Sequence, residues 1–247
     1  WQVKIDPADR HKTAVITPRS LFEFVLMAFG LCNAPATFQR LMDTVIPPDA
    51  REFIETYIDD LLTHSKTFDE HVQHLDRLLA LLAKHNLVVK LSKCKFAQRE
   101  VKFLGHILSQ NQLKPNPEAV TAIMAWTKPA DNINKKKALR GFLGMIGWFR
   151  KFIPGFSTKA QPLFEILKDD VKWEWGAAQQ SAFTELRDCM IRQPVLAIAD
   201  PNKPYVMETD ASDVGLGAIL MQEDENKQLH PIAFASSSLN SAERNYS

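Results

Sequence analysis

The chain has 247 residues, of which 45% are hydrophobic and 24% charged, so it is long enough for one or two globular domains with buried cores. Its net charge of +1 means that any affinity for a polyanion must come from local basic patches. The three cysteines form no CxxC pair, which argues against a disulfide framework or a zinc site and favours a reducing, intracellular setting. The sequence shows no apolar run long enough to span a bilayer and no signal peptide, so we expect no membrane partner.

The N-terminal residues predict short strands around one helical turn. Apolar and polar residues alternate over residues 1–5, which favours a strand. Asp6 precedes Pro7, and an acidic N-cap before a proline predicts the start of a helix. Further strands are predicted at residues 13–17 and 21–27.

A turn that contains Phe29 and Gly30 leads into a predicted helix, which ends at Pro47. One stripe of this helix is apolar and is expected to face a core. The stripe consists of Phe38, Leu41, Met42 and Val45.

Two adjacent acids, Asp59 and Asp60, lie between apolar runs in the segment Tyr57-Ile58-Asp59-Asp60-Leu61. Such flanks predict two strands of a hairpin with the acids at its bend. Burying charge without a counter-ion costs free energy, and paired carboxylates on a rigid base suit a hard divalent cation such as magnesium. The alternative interpretation is a solvated turn, because Asp is a preferred turn residue.

A capping-box pattern at Thr67 predicts the start of a longer helix. Its apolar residues are spaced alternately by four and three positions and are expected to face the core. They are Phe68, Val72, Leu75, Leu79 and Leu82. Residues 101–108 predict another strand.

Lysines are concentrated within this strand and on both sides of it, where they form either a solvated surface or a phosphate-binding one. They are Lys90, Lys93, Lys95, Lys102, Lys135, Lys136 and Lys137. The last three begin a predicted helix, and cations at that end oppose the helix dipole.

The remainder of the chain is predicted to be helical first and then to change to strands after a boundary at residues 201–204. Helices are predicted at residues 116–126, 134–149, 161–167 and 177–191. Strands are predicted at residues 205–209, 215–222 and 231–235, with residues 210–215 as the turn between the first two.

Six segments of the chain, in this order, resemble one protein family. They are residues 5–14 (IDPADRHKTA), 29–42 (FGLCNAPATFQRLM), 57–60 (YIDD), 101–106 (VKFLGH), 142–154 (FLG and FRKFIP) and 208–212 (ETDAS). Together they resemble the reverse transcriptase of gypsy-type LTR retrotransposon (Metaviridae-like) Pol polyproteins, from mid-palm into the start of ribonuclease H. Each motif alone is weak, whereas the ordered set is specific. Ala28 departs from the pattern, because the family usually has proline there.

The resemblance implies an α+β fold. A reverse-transcriptase palm, with an antiparallel sheet backed by helices, is followed by a helical thumb and connection and then by the first strands of a ribonuclease H-like domain. The implied boundaries are residues 1–110 for a partial palm without fingers or first catalytic strand, 111–200 for the thumb and connection, and 205–247 for the N-terminal part of the ribonuclease H-like domain.

The resemblance also implies an RNA-directed DNA polymerase, which adds dNTPs to a primer 3′-hydroxyl by two-metal phosphoryl transfer. Asp59 and Asp60 are the implied catalytic residues and ligands of Mg²⁺, with Mn²⁺ as the alternative ion. Asp210 matches the first metal-binding acid of ribonuclease H, although an isolated Asp in a turn is more often structural.

Two further groups of residues receive roles from the resemblance. Phe29 and Gly30 match the nucleotide-binding segment, where glycine lets the backbone approach the nucleotide, although Gly30 equally fits an ordinary turn. The implied primer contacts are Tyr57, Phe103, Leu104, Gly105 and His106. Without the resemblance, residues 103–106 fit a core strand, and His106 lies in no metal-ligand spacing.

The implied partners are an RNA template, a DNA primer, dNTPs and the remainder of the Pol polyprotein, in a cytoplasmic virus-like particle with a nuclear phase. The family's third polymerase carboxylate is expected before Trp1 and further ribonuclease H acids after Ser247, so we expect the chain to be inactive alone. The alternative function is that of a non-catalytic, nucleic-acid-binding or domesticated retrotransposon remnant.

Overall fold

A computed structural model describes residues 2–192, 194–213, 215–240 and 242–243. The predicted strand position of Trp1 and the turn position of Val214 lie outside these residues, as do residues 244–247 of the predicted C-terminal domain. The chain forms two compact units, Trp1–Gln98 and Arg99–Ser247, and each is described by itself. In the described part of the chain, no helix is long and apolar enough to cross a membrane.

The described residues of the first unit form short strands and two α-helices. Its elements are β1 (Val15–Ile16), β2 (Leu21–Phe22), α1 (Ala34–Val45), β3 (Ile54–Tyr57), β4 (Asp60–Thr63) and α2 (Phe68–Lys84). Short 3₁₀ helices cover Pro7–Thr13, Pro48–Glu52 and Leu91–Lys93. The first of these confirms the helical turn predicted at Asp6, whose side chain caps it by accepting from the Ala8 N–H.

The predicted N-terminal strands are much shorter in the structure. All four residues of β1 and β2 are exposed, and Lys4 makes a single bridge to Leu26. The alternation of apolar and polar residues therefore predicted strands that are too long, because β1 and β2 have no buried face that would stabilise a longer pairing.

The core of the first unit lies between α1, β3 and α2. The predicted apolar stripe of α1 lies in or against this core, and Met42 and Val45 are fully buried. The stripe predicted for α2 is only partly correct, because Leu82 is buried and Leu75 is half-buried, whereas Phe68, Val72 and Leu79 are exposed. The helix also buries Leu78 and Leu81, which the stripe omits.

In its described residues, the second unit contains two antiparallel sheets and four α-helices. Its strands are β5 (Glu100–Phe103), β6 (His106–Ser109), β7 (Gln112–Pro115), β8 (Leu196–Ala197), β9 (Val206–Ser212), β10 (Gly215–Glu223) and β11 (Leu229–Ser238). Its helices are α3 (Pro117–Met124), α4 (Lys135–Gly147), α5 (Phe156–Glu165) and α6 (Ala177–Ile191). The strand orders are β5-β6-β7-β8 and β11-β10-β9.

Helices α3 to α6 enclose a large apolar core, to which Phe142, Phe183 and Leu186 contribute fully buried side chains. Helix α5 begins earlier than predicted, at Phe156, because Phe156 and Ala160 belong to the same buried face.

Two sequence predictions for the strands need correction. Residues 101–108 form a hairpin instead of one strand, since the backbone turns at Leu104 and Gly105 between β5 and β6. Asp210 lies within β9, paired with Gly217, whereas the sequence placed it in the following turn. The predicted overall architecture, with antiparallel sheets backed by helices, is confirmed.

Candidate functional site

The two adjacent acids lie where the sequence predicts, at the bend of a hairpin. Strands β3 and β4 pair antiparallel, with Tyr57 opposite Asp60. Ile58 and Asp59 are therefore the two turn residues, and Asp60 is the first residue of β4. Ile54, at the other end of β3, is fully buried and anchors the hairpin in the core.

Both carboxylates are exposed, and neither makes a hydrogen bond or ion pair with another described residue. Their oxygens are thus free to bind a hard cation, which prefers carboxylate ligands. Among the residues that the structure describes, no three acidic, histidine or cysteine side chains converge as a metal site. Asp59 and Asp60 therefore fit two ligands of a metal site, but not a complete set of ligands.

The turn that carries the acids contains a bulky residue in a left-handed conformation. Ile58 has a φ of 54°, a conformation that costs a non-glycine residue about 1–3 kcal/mol. Its N–H donates to Oε1 of Gln39 on α1 at 2.6 Å. A side chain of the helix thus holds the turn in place.

The predicted nucleotide-binding residues lie in the turn before α1. Phe29 is 86% exposed, and Gly30 has a φ of 88°. A Cβ added to Gly30 would meet no atom within 4 Å, so its backbone angle, and not crowding, requires glycine. Ala28, at the family's usual proline position, is buried.

In the second unit, the predicted primer-contact residues form a tight hairpin. Phe103 pairs with His106 across a two-residue turn. Leu104 and Gly105 both have positive φ angles, 49° and 76°, as a type I′ turn requires. The Leu104 carbonyl oxygen accepts from Nε1 of Trp148 at 3.3 Å and lies 2.7 Å from Nδ1 of His106.

The His106 side chain is buried and does not face solvent. Because a carbonyl only accepts, Nδ1 of His106 carries the proton, and Nε2 has no partner among the described residues. The ring packs against Trp148, Phe149 and Phe152. Burial, together with the charge of Lys151, lowers the pKa of His106, although the bond to Leu104 opposes the shift. A neutral, buried imidazole fits a structural role.

Asp210 projects from β9 as an exposed side chain. No described residue forms an ion pair or hydrogen bond with its carboxylate. Asp210 lies in the second unit, whereas Asp59 and Asp60 lie in the first.

Two of the predicted phosphate-binding lysines have partners inside the protein. Lys102 forms an ion pair with Glu118, and Lys136 donates to the Lys168 carbonyl at 3.0 Å. Lys90, Lys93 and Lys95 are exposed around the Leu91–Lys93 helix, as the solvated interpretation also expects.

Sequence reasoning missed Gln39 and Trp148, whose side chains bind the two hairpin turns. Gln39 lies inside the FGLCNAPATFQRLM segment, but a glutamine on a helix gives no signal for a distant turn. The only sequence hint was the predicted hairpin bend at Ile58, where a residue without glycine's freedom needs support. No such hint existed for Leu104, because residues 101–108 were predicted to form one strand.

Two family models match the chain. The model for reverse transcriptase (RNA-dependent DNA polymerase) matches residues 1–108, and the model for an RNase H-like domain found in reverse transcriptase matches residues 175–247.

The chain is also similar to curated transposon proteins of Schizosaccharomyces pombe. It is 36% identical over 245 residues to the Transposon Tf2-3 polyprotein and to the Transposon Tf2-7 polyprotein. Each alignment covers 99% of this chain and 18% of the relative.

Solved structures with the same fold include two of the foamy viral protease-reverse transcriptase. The complex with dsDNA matches with a TM-score of 0.81 at 23% identity, covering 99% of this chain and 50% of that one. The complex with an RNA/DNA hybrid gives 0.80 at 22% identity, covering 99% and 32%. These matches confirm the predicted reverse-transcriptase fold.

The chain therefore belongs to the reverse transcriptase family, with an RNase H-like domain in its C-terminal part. Within that family it is related to retrotransposon polyproteins, which confirms the gypsy-type LTR retrotransposon resemblance.

Proposed function

We propose that this chain is part of an RNA-directed DNA polymerase that adds dNTPs to a primer 3′-hydroxyl by in-line, two-metal phosphoryl transfer. The observation that carries the proposal is the Asp59–Asp60 pair. Both carboxylates are exposed, without partners among the described residues, and held at the turn of a hairpin anchored in the core.

Asp59 and Asp60 would hold the divalent ion, with Asp59 the more direct ligand. Mg²⁺ or Mn²⁺ would activate the attacking hydroxyl and stabilise the leaving oxygen. Because the described residues supply no third ligand at this hairpin, we propose that another part of the polyprotein completes the set.

Several residues are proposed to contact substrate. Phe29 and Gly30 would line the dNTP pocket, since the exposed glycine backbone can approach a nucleotide closely. Tyr57, which is about half exposed, would contact the primer terminus. In the Phe103–His106 hairpin, the buried His106 would shape the turn while Leu104 and Gly105 present its backbone to the primer.

Nucleic acid is the proposed partner because two of the solved structures with this fold are complexes of the foamy viral protease-reverse transcriptase, one with dsDNA and one with an RNA/DNA hybrid. An RNA template, a DNA primer, dNTPs and the rest of the polyprotein are accordingly proposed for this chain. We also propose a virus-like particle in the cytoplasm, with a nuclear phase, as its setting; this proposal follows from the resemblance to retrotransposon polyproteins.

We further propose palm residues 1–110, thumb and connection residues 111–200, and ribonuclease H-like residues 205–247. In that arrangement, Asp210 would be the first metal-binding acid of the ribonuclease H site. Its exposed position on β9, without a partner among the described residues, supports this role.

A primer-extension assay on the polyprotein-derived reverse transcriptase that contains this chain tests the polymerase proposal. Asp59→Asn is expected to lower the extension rate by at least about 100-fold, because it weakens binding of the divalent ion that would stabilise the transition state. Asp76→Asn on the exposed side of α2 is the matched control and should leave extension unchanged.

The alternative is a non-catalytic, nucleic-acid-binding remnant, which the lack of a third ligand among the described residues favours. It predicts that the unsubstituted protein binds primer–template at low salt but extends it with neither Mg²⁺ nor Mn²⁺. Extension that is unaffected by Asp59→Asn would contradict the assigned catalytic residue.

A further inference from the structure

We propose that Gln39 is a positioning residue for the polymerase carboxylates, acting through the backbone of Ile58. The inference rests on the proposed function of Asp59 and Asp60. Gln39 touches neither carboxylate; it sets the conformation of the turn from which both project.

The contacts of the Gln39 amide define its orientation. One terminal atom of the amide lies 2.6 Å from the backbone nitrogen of Ile58. Because that nitrogen can only donate, the amide atom facing it is the oxygen, Oε1. Its Nε2 donates to Oδ1 of Asp43 at 3.0 Å and lies 3.5 Å from the Thr56 hydroxyl. One side chain therefore joins α1 to both β3 and the turn.

Ile58 needs such a partner for two reasons. Its branched side chain disfavours the left-handed backbone that a two-residue turn demands at this position. Its N–H makes no bond within the Tyr57–Asp60 pairing, and the Gln39 oxygen is the acceptor that the structure supplies. Without that acceptor, Ile58 is free to return to an extended conformation.

The support is rigid because α1 is part of the core. Met42 lies three residues after Gln39 and is only 2% exposed, and Val45 is only 1% exposed. A change of φ at Ile58 would rotate the peptide that leads into Asp59 and so alter the separation of the two carboxylates. Gln39 thereby couples the position of the acids to a buried helix.

The test uses the full chain with four sequences compared by NMR: the unsubstituted chain, Gln39→Met, Gln39→Met with Ile58→Gly, and Gln73→Met. Methionine has nearly the size of glutamine but accepts no strong hydrogen bond. Gln73 is exposed on α2 and serves as the matched control. The measurements are amide hydrogen exchange at Ile58 and the broadening of the residue 59 and 60 signals by millimolar Mn²⁺.

In Gln39→Met, amide exchange at Ile58 is expected to accelerate about tenfold and Mn²⁺ affinity to fall several-fold, because the hydrogen bond between the neutral Ile58 N–H and Gln39 Oε1 is lost. Adding Ile58→Gly should restore Mn²⁺ affinity without restoring amide protection, because glycine adopts the left-handed conformation unaided. A merely structural role predicts faster exchange throughout α1 and no rescue by glycine, and that result would overturn the inference.

Two other outcomes separate this inference from the proposed function. Unchanged exchange and unchanged Mn²⁺ affinity in Gln39→Met overturn the Gln39 role and leave the metal site intact. Absence of Mn²⁺ broadening in the unsubstituted chain overturns the proposed metal site and, with it, the catalytic purpose of Gln39.

Discussion

Each hairpin of interest depends on one residue that adopts an unfavourable backbone conformation. Ile58 is held by a side-chain oxygen of α1, and Leu104 by two ring nitrogens, those of His106 and Trp148. Gln39 and Trp148 are distant in sequence from the turns that they hold, whereas His106 is a near neighbour of Leu104. Single-residue substitutions at these contacts should therefore act on the turns more than on the cores.

His106 should make the stability of the second unit depend on pH. Its folded-state pKa lies below the ordinary value of 6.5, so the unfolded chain binds more protons once the pH falls below that value. The contribution of neutral His106 is complete above 6.5 and is lost as the pH falls toward the lowered pKa. Urea unfolding at a series of pH values should show this loss of stability.

His106→Gln should flatten the pH dependence, because glutamine can still donate to the Leu104 carbonyl but does not titrate in this range. His85→Gln is the control, since His85 is exposed. An equal pH dependence in His106→Gln and the unsubstituted chain would contradict the assignment.

At the scale of single residues, the sequence correctly predicted that Asp59 and Asp60 lie at the bend of a hairpin, because an acidic pair between apolar runs is visible locally. It could not predict the Gln39 contact, which joins positions 19 residues apart. Nor could it predict that His106 is buried, since burial depends on Phe149 and Phe152 from a distant segment.

Helix α2 shows how an apolar pattern can misplace most of a buried face. The predicted stripe follows strict four-and-three spacing along the whole helix, whereas the buried residues Leu78, Leu81 and Leu82 form a short patch near the C-terminal end and share only Leu82 with the stripe. We therefore expect two side-chain truncations on this helix to differ strongly in their effect on stability.

Leu78→Ala should destabilise the first unit by about 2–5 kcal/mol, because it leaves a cavity in the core. Phe68→Ala should change stability by less than about 0.5 kcal/mol, since Phe68 is 68% exposed. Urea unfolding followed by circular dichroism measures both. A larger loss for Phe68→Ala would restore the original prediction of a core-facing stripe.

The β5–β6 turn and helix α4 provide a matched pair of glycines. Gly105→Ala should destabilise the second unit by about 1–2 kcal/mol, because the φ of 76° disfavours a side chain. The new Cβ would also lie 3.3 Å from Nε1 of Trp148.

Gly144→Ala should stabilise the same unit by about 0.5–1 kcal/mol, because Gly144 is inside α4 and alanine favours a helix. A Cβ there would meet no atom within 4 Å. Equal effects of both substitutions on the urea midpoint would show that the left-handed turn does not limit stability.

Helices with clear caps were the elements that sequence predicted best. Thr67 and Glu70 form the expected capping box at the start of α2, and Asn134 caps α4. Strands were predicted less well, because β1, β2 and the extent of β9 depend on partner strands that periodicity does not reveal.

At the scale of the whole molecule, the two units differ in the size of their cores. In the described residues, the apolar cluster of the second unit has more than twice as many buried members as that of the first. Because burial of apolar surface is the main stabilising term, the first unit should unfold at lower urea concentration.

Two optical signals can separate the units during unfolding. Four of the five tryptophans lie in the second unit, and Trp1→Phe removes the remaining one. In that variant, fluorescence should change at higher urea than circular dichroism, which reports helices of both units. Coincident transitions would indicate that the units unfold as one.

The family and general architecture followed from the sequence because ordered motifs span both units. The division after Gln98 did not, since no proline- or glycine-rich linker marks it. Compact units are defined by contacts between distant residues, which one sequence does not display.

The Gln39–Ile58 contact also has a consequence for the order of events during folding. The turn residues alone favour other conformations, and their acceptor exists only once α1 has formed and docked. We expect the Ile58 turn to close late in refolding, with substitutions there changing the unfolding rate more than the folding rate. The first unit would thus reach its compact state before the two carboxylates reach their final separation.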